Sequence, residues 1–250
     1  MNSAMGNIWC ITKRELSGYF NSPVAYVFIV IFLLFANFFS FMLGGFFERG
    51  QASLEAFFTW HPWLFMVFVP AVGMRLWAEE RRLGTLELLL TMPITPWQAI
   101  TGKFIASWLF LGLALLLTFP IVFTVNFLGS PDNGVIFAGY VGSFLMAGSF
   151  LAITCATSAL TRSQVVSFII SVVICFALVL AGFEPAVEFM RSVAQLGDKL
   201  VDLIASFSVM THFMNFQKGV LVIGDLVFFL SVIVFSLFTT AVILRHLRTT

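Results

Sequence analysis

The sequence predicts an all-α integral membrane protein with six transmembrane helices. Three observations predict it. Of the 250 residues, 60% are hydrophobic and only 10% charged, with a mean hydropathy of +1.02. A soluble domain carries about 25% charged and 45–50% apolar residues. The apolar residues fall into six runs long enough to be spans, given that a helix needs roughly 20 of them to cross a bilayer. Between the runs lie short amphipathic pieces that suit a membrane surface.

The elements follow in order. Residues 8–20 read IWCITKRELSGYF, with Lys13, Arg14 and Glu15 clustered among Ile8, Trp9, Ile11, Leu16, Tyr19 and Phe20. This predicts an interfacial helix whose basic residues face headgroups. The first apolar run starts near Pro23, too far from Met1 for a cleavable signal, so it is expected to stay as a span. Ser22-Pro23 supplies a cap and a first helical residue. The spans are expected at about 23–43, 61–78, 101–128, 135–160, 165–183 and 223–244. The second is interrupted by Pro62, Pro70 and Arg75. The fourth carries two rows of small residues, Gly139/Ser143/Ala147 and Gly148/Ala152/Ala156, whose spacing of four permits close helix contact. Packing within one subunit is the leading reading of these rows, ahead of a subunit interface. Residues 184–208 read as two short amphipathic helices split at Gly197-Asp198, neither long enough to span. They are expected at the outer leaflet, and residues 211–226 lead from them into the last span.

Six spans place both termini on one side. With that side inside, nine of the 13 Lys and Arg lie inside, and four of the 12 acids do. The positive-inside rule therefore makes both ends cytoplasmic. No Asp, Glu, Lys, Arg or His falls in the central part of a span. That disfavours an ion-driven carrier, which uses intramembrane charges or broken helices to hold its coupling ion. Cys10, Cys155 and Cys175 have no paired or metal-ligand spacing. His61, His212 and His246 are far apart and read as interfacial residues rather than ligands. A net charge of +1 gives no sign of a nucleic-acid partner.

The stretch AEERRLGTLELLLTMPITP (78–96) gathers four consecutive charges, Glu79, Glu80, Arg81 and Arg82. Gly84 bends the preceding helix. Thr85 starts a short one with Leu86, Leu89 and Leu90 on one side, and Pro93 ends it. Thr95-Pro96-Trp97-Gln98 is a capping-box start for the next helix. A surface anchor would be net positive, whereas here the acids cancel the bases. The combination reads better as a helix that docks in a groove of a partner protein. No G-x-x-x-x-G-K-[ST] occurs in the chain, so ATP chemistry would have to come from another subunit.

The run Glu80-Arg81-Arg82-Leu83-Gly84-Thr85-Leu86-Glu87-Leu88-Leu89-Leu90-Thr91-Met92-Pro93-Ile94 resembles the loop between spans 2 and 3 of type-2 ABC export permeases. KRELSGYFNSPVAYV (13–27) and THFMNFQKGVLVIGDLVFF (211–229) are similar to that family too. The branch most resembled contains the gliding-motility permease and the permease of nitrous-oxide-reductase maturation. The resemblance implies a single permease domain over 1–250. It makes 8–20 a connecting helix bearing Lys13, Arg14 and Glu15, and 184–208 an outer-leaflet pair. It makes 84–92 a coupling helix. ATPase docking would then fall to Glu79, Glu80, Arg81, Arg82, Gly84, Thr85, Leu86, Glu87, Leu89 and Leu90. Implied partners are two ABC ATPase subunits, a second permease copy (a homodimer) or a homologous permease, and membrane lipids. The short outer segments add a periplasmic or lipoprotein partner. ATP and magnesium would be bound by the ATPase, and this chain would carry no cofactor and no catalytic or metal site. The implied location is the bacterial inner membrane. The implied function is export, with the Phe-rich chain favouring lipidic or amphipathic cargo. The alternative is an ATP-powered mechanical or assembly component that acts on an envelope protein.

Overall fold

Proline and short polar side chains open the helices where the sequence places them. The structure, a computed structural model, describes residues 2–46, 52–86, 94–192 and 198–249, and every regular element among them is helical. α1 is Asn2–Phe20. Ser22 then caps α2 (Pro23–Phe38), accepting from the Val24 N–H at 3.3 Å, with Pro23 in the first turn. α2 widens into a π-helical turn over Phe39–Leu43. The short α3 (Glu55–Thr59) precedes α4 (His61–Gly73) and α5 (Arg75–Leu83).

α6 (Pro96–Leu116) opens on the expected capping box. Thr95 Oγ1 accepts from the Gln98 N–H at 3.4 Å, and Gln98 Oε1 accepts from the Thr95 N–H at 3.1 Å. α7 (Pro120–Leu128) continues it after a short break. Then come α8 (Asn133–Leu160), α9 (Gln164–Leu180), α10 (Glu184–Ser192), α11 (Asp198–Ser206), α12 (Val209–Gln217) and α13 (Ile223–Thr249).

α8 is the axis of the fold. It packs against α4, α5, α6, α9, α12 and α13. Its most apolar stretch is 78% buried, against 28–44% for the other long helices. Glycine makes this possible. A Cβ added at Gly139, Gly142 or Gly148 would lie 2.6, 2.7 or 2.8 Å from Phe58, Phe216 or Trp108. Aromatic rings thus sit directly on the α8 backbone, the close approach that small residues permit. The two small-residue rows accordingly pack inside this one chain.

Four helices among the described residues are long and apolar enough to cross a membrane: Pro23–Leu43, Pro96–Leu128, Asn133–Leu160 and Ile223–Leu247. A fifth is counted if α9 and α10, bent by 76°, form one span. Two predicted spans therefore differ from expectation. The segment 61–78 is not one helix but two, broken at Met74. The segment 165–183 ends early, because the Ser208 hydroxyl donates to the Leu178 carbonyl at 3.0 Å and the chain turns away. Two short helices lie where a pair was expected over 184–208: α10 and α11, joined by Arg191–Asp202 at 2.7 Å, while residues 193–197 lie outside the described residues.

The lead-in to the last span contains a helix the sequence reading missed. Ser208 caps α12, whose Val209, Met210, Phe213 and Phe216 are buried. His212 and Asn215 of α12 meet Asp225, in the first turn of α13, at 2.6 and 2.8 Å. His212 is therefore also an inter-helix contact. His61 departs from the expectation of an interfacial residue: it is fully buried among Phe57, Phe58 and Phe65.

Candidate functional site

The charged stretch is rooted in a broken helix. Pro70 lacks an N–H, which already weakens the ladder of α4. At Met74 the Ser158 hydroxyl of α8 enters it. Ser158 Oγ accepts from the Trp77 and Ala78 N–H groups, both at 3.0 Å, and donates to the Met74 carbonyl at 2.8 Å. One hydroxyl has one proton and two lone pairs, so this uses all of its capacity. A side chain inserted into the ladder is a recognised cause of a kink. Trp77 Nε1 donates to Cys155 Sγ at 3.1 Å, and Arg81 Nη1 donates to the Ala159 carbonyl at 2.7 Å. The last carbonyls of a helix lack intrahelical partners and carry partial negative charge. Arg81 takes one of them, so α5 is pinned to the end of α8.

Lys103 joins three elements at the same end of the bundle. Its ammonium lies 2.8 Å from Glu80 Oε1 on α5 and 3.3 Å from Glu15 Oε1 on α1, with its side chain only 5% exposed. It also stands 5.5 Å from the Trp77 ring, within cation–π range. Arg14 pairs with Glu15 at 2.9 Å, so two acids balance two bases. Burial pushes the Glu15 carboxyl up, but Lys103 and Arg14 outweigh it and hold its pKa below 4.5. Close backbone packing sets this geometry. A Cβ on Gly102 would lie 2.8 Å from Ile11, and the Thr12 hydroxyl donates to the Gly102 carbonyl at 3.1 Å. Tyr19 hydrogen-bonds Ser107 at 2.9 Å and stacks on Phe110.

Glu15 and Glu80, expected in separate elements, thus share one lysine. Lys13 and Arg14 are exposed. Arg82 is exposed and approaches the partly exposed Glu79 only to 3.9 Å. Gly84 ends α5 with a φ of 72°, the left-handed C-terminal position that glycine occupies without strain. The capping expected of Thr85 would fall on the N–H groups of residues 87 and 88, which lie outside the described residues. The Thr85 hydroxyl donates to the Glu80 carbonyl at 3.4 Å, and Leu86 is buried. Glu87, Leu89 and Leu90 lie outside the described residues. Sequence reasoning missed Lys103 and Ser158 as site residues. A lysine eight residues into an otherwise apolar helix was a usable signal; one serine among several in α8 was not.

A bundle of long apolar helices with its charges gathered at helix ends defines a multi-pass membrane protein. The family profile described as ABC-2 family transporter protein matches residues 51–245. The chain belongs to that family, whose members are the membrane component of an ABC transporter and work with an ABC ATPase. Comparison with curated proteins gives no match.

Proposed function

We propose that the chain is the permease subunit of an ATP-driven exporter, in which the segment 79–90 docks on the ATPase. The carrying observation is the Lys103 clamp. It ties the root of the docking segment to α1 and α6 at once, while Ser158 and Arg81 tie it to the central helix. A push on the docking segment would therefore reach three spans without slack. In this reading six spans cross the membrane, with α4–α5 as a broken second span and α9 as a short fifth. α1 lies along the cytoplasmic surface, and α10 and α11 lie at the outer leaflet. Two permeases join two ATPases, which bind ATP and magnesium. Both termini are cytoplasmic, in the inner membrane of a bacterium. The cargo is amphipathic.

The test uses permease and ATPase co-purified and placed in proteoliposomes. Leu89→Asp should release the ATPase from the complex. Lys103→Met should leave it bound but lower substrate-stimulated ATP hydrolysis about tenfold, within the usual range of inter-site coupling. Unchanged stimulation in Lys103→Met, with the complex intact, would sink the coupling role. ATP hydrolysis with no solute movement, together with capture of an envelope protein on 184–222, would favour the mechanical alternative.

A further inference from the structure

A cavity of about 290 Å³ lies beside the Lys103 clamp, between α1, α2, α4, α5 and α6. Its charged lining is Glu15, Arg75, Glu79, Glu80 and Lys103, and its apolar lining includes Val24, Phe28, Val72 and Phe110. Val24 is 51% exposed on the outer face of α2, so the cavity reaches the apolar surface of the bundle. Ligand pockets commonly run to about 300–1,000 Å³, so this one suits a headgroup rather than a whole lipid.

The unmet bonding capacity has a definite pattern. Lys103 is paired with both Glu15 and Glu80. Arg75 is only partly exposed, yet no hydrogen bond or ion pair engages its guanidinium among the described residues. Glu80 Oε2 is buried with no hydrogen-bond partner. Glu79 has only the 3.9 Å approach of an exposed arginine. Arg75 and Glu79 stand four residues apart on α5, so both face the same side. One unpaired cation, one partly exposed carboxylate (Glu79) and one enclosed, unmet carboxylate oxygen (Glu80 Oε2) therefore border one small cavity beside the lipid-facing surface. A guanidinium presents a planar fork suited to phosphate oxygens. A nearby carboxylate pair suits an ammonium. Ionisable groups at membrane depth are costly unless they meet a partner.

We propose that this cavity binds the headgroup of an amine-bearing phospholipid, a phosphoethanolamine. The phosphate sits on Arg75 and the ammonium on Glu79 and Glu80, while Val24 and Phe28 receive the start of the acyl chains. A phosphate without an amine leaves the carboxylates unmet, and an amine without a phosphate leaves Arg75 unmet.

Native mass spectrometry of the detergent-purified protein tests this without any ATPase, so it stands or falls independently of the transport reading. The probes are lysophosphatidylethanolamine, lysophosphatidylglycerol and soluble O-phosphoethanolamine. The ethanolamine lysolipid should be retained about tenfold more than the glycerol one, the size expected from one charge-assisted contact. Arg75→Gln should abolish retention of both. Glu79→Gln should erase the preference while keeping phosphate-dependent retention. Val24→Trp, at an exposed position, should block the cavity mouth in a folded protein and so controls for misfolding of Arg75→Gln. Equal retention of the two lysolipids, or retention unchanged by both Arg75→Gln and Val24→Trp, overturns the proposal. Retention of soluble O-phosphoethanolamine as strong as that of the lysolipid would assign the site to a soluble phosphate ester and overturn the lipid assignment.

Discussion

Lys103 and Glu15 show how much one buried pair decides. Lys103 is almost enclosed, and a buried ammonium is tolerable only while its partners keep their charge. Glu15 is the more exposed of the two, at 24%, and its carboxyl is held below 4.5 despite partial burial. The sign follows. A carboxyl lowered in the folded state adds stability above its unfolded value and loses it as pH falls through the folded one. Acidifying below about 4.5, the ordinary glutamate value, should therefore loosen α1 from α6. Hydrogen exchange across residues 8–20 measures it. Protection should fall with acid in the native chain, and Glu15→Gln should flatten the dependence. An acid response that persists in Glu15→Gln would assign the effect to another group. The charges themselves were legible in the sequence. Their pairing was not, because Glu15, Glu80 and Lys103 are brought together by three helices whose crossing depends on Gly102 and Ile11.

At the scale of elements, local chemistry was read well and tertiary insertion was not. Ser22-Pro23, Thr95-Pro96-Gln98 and Gly84 act through neighbours in sequence, so caps and stops could be placed from residue type alone. The break at Met74 depends on Ser158, more than eighty residues away, and nothing local marks that serine. α12 was missed for a related reason: its nine residues are too short for a strong period, and burial against α8 sustains it. The Ser158 contact carries a prediction. Ser158→Ala leaves the Trp77 and Ala78 N–H groups and the Met74 carbonyl without their partner. Each buried unmet group costs about 1–3 kcal/mol, reduced where the helix can straighten and close its own ladder. Thermal unfolding in detergent should drop. Trypsin should cut faster at Arg81 and Arg82, since α5 loses one of its ties to α8. Ser158→Thr keeps the hydroxyl and should behave closer to the native protein. Equal loss in both variants would point to packing volume rather than to the hydrogen bonds.

For the whole molecule, the open quantity is how many times the chain crosses the bilayer. Helix rise is 1.5 Å per residue, so the 17 residues of α9 reach about 26 Å, against a hydrocarbon core of about 30 Å. A shortfall of that size is accommodated by local thinning or by snorkelling flanks, at fractions of a kcal/mol per Å. Arg162 stands just ahead of α9, and Ser208 closes its far end through Leu178, so both ends are chemically finished as span ends. α4 and α5 together are longer than α9, and the Ser158 hydroxyl satisfies the backbone at their break, as a broken helix at membrane depth requires. The six crossings proposed above rest on that reasoning, beside the four helices that are long and apolar enough by themselves. Four crossings, with neither of these segments spanning, also leave the termini on one side, so the termini cannot decide; the loops can. Cys155 and Cys175 are buried, which leaves Cys10 as the exposed native thiol. In a Cys10→Ser background, Arg162→Cys and Thr85→Cys should react with a membrane-impermeant maleimide from the side on which native Cys10 reacts. Ser130→Cys and Lys199→Cys should react only from the other side. With four crossings Thr85→Cys and Arg162→Cys would react from the side opposite Cys10 and Ser130→Cys from the Cys10 side, and the docking segment would face away from any cytoplasmic ATPase.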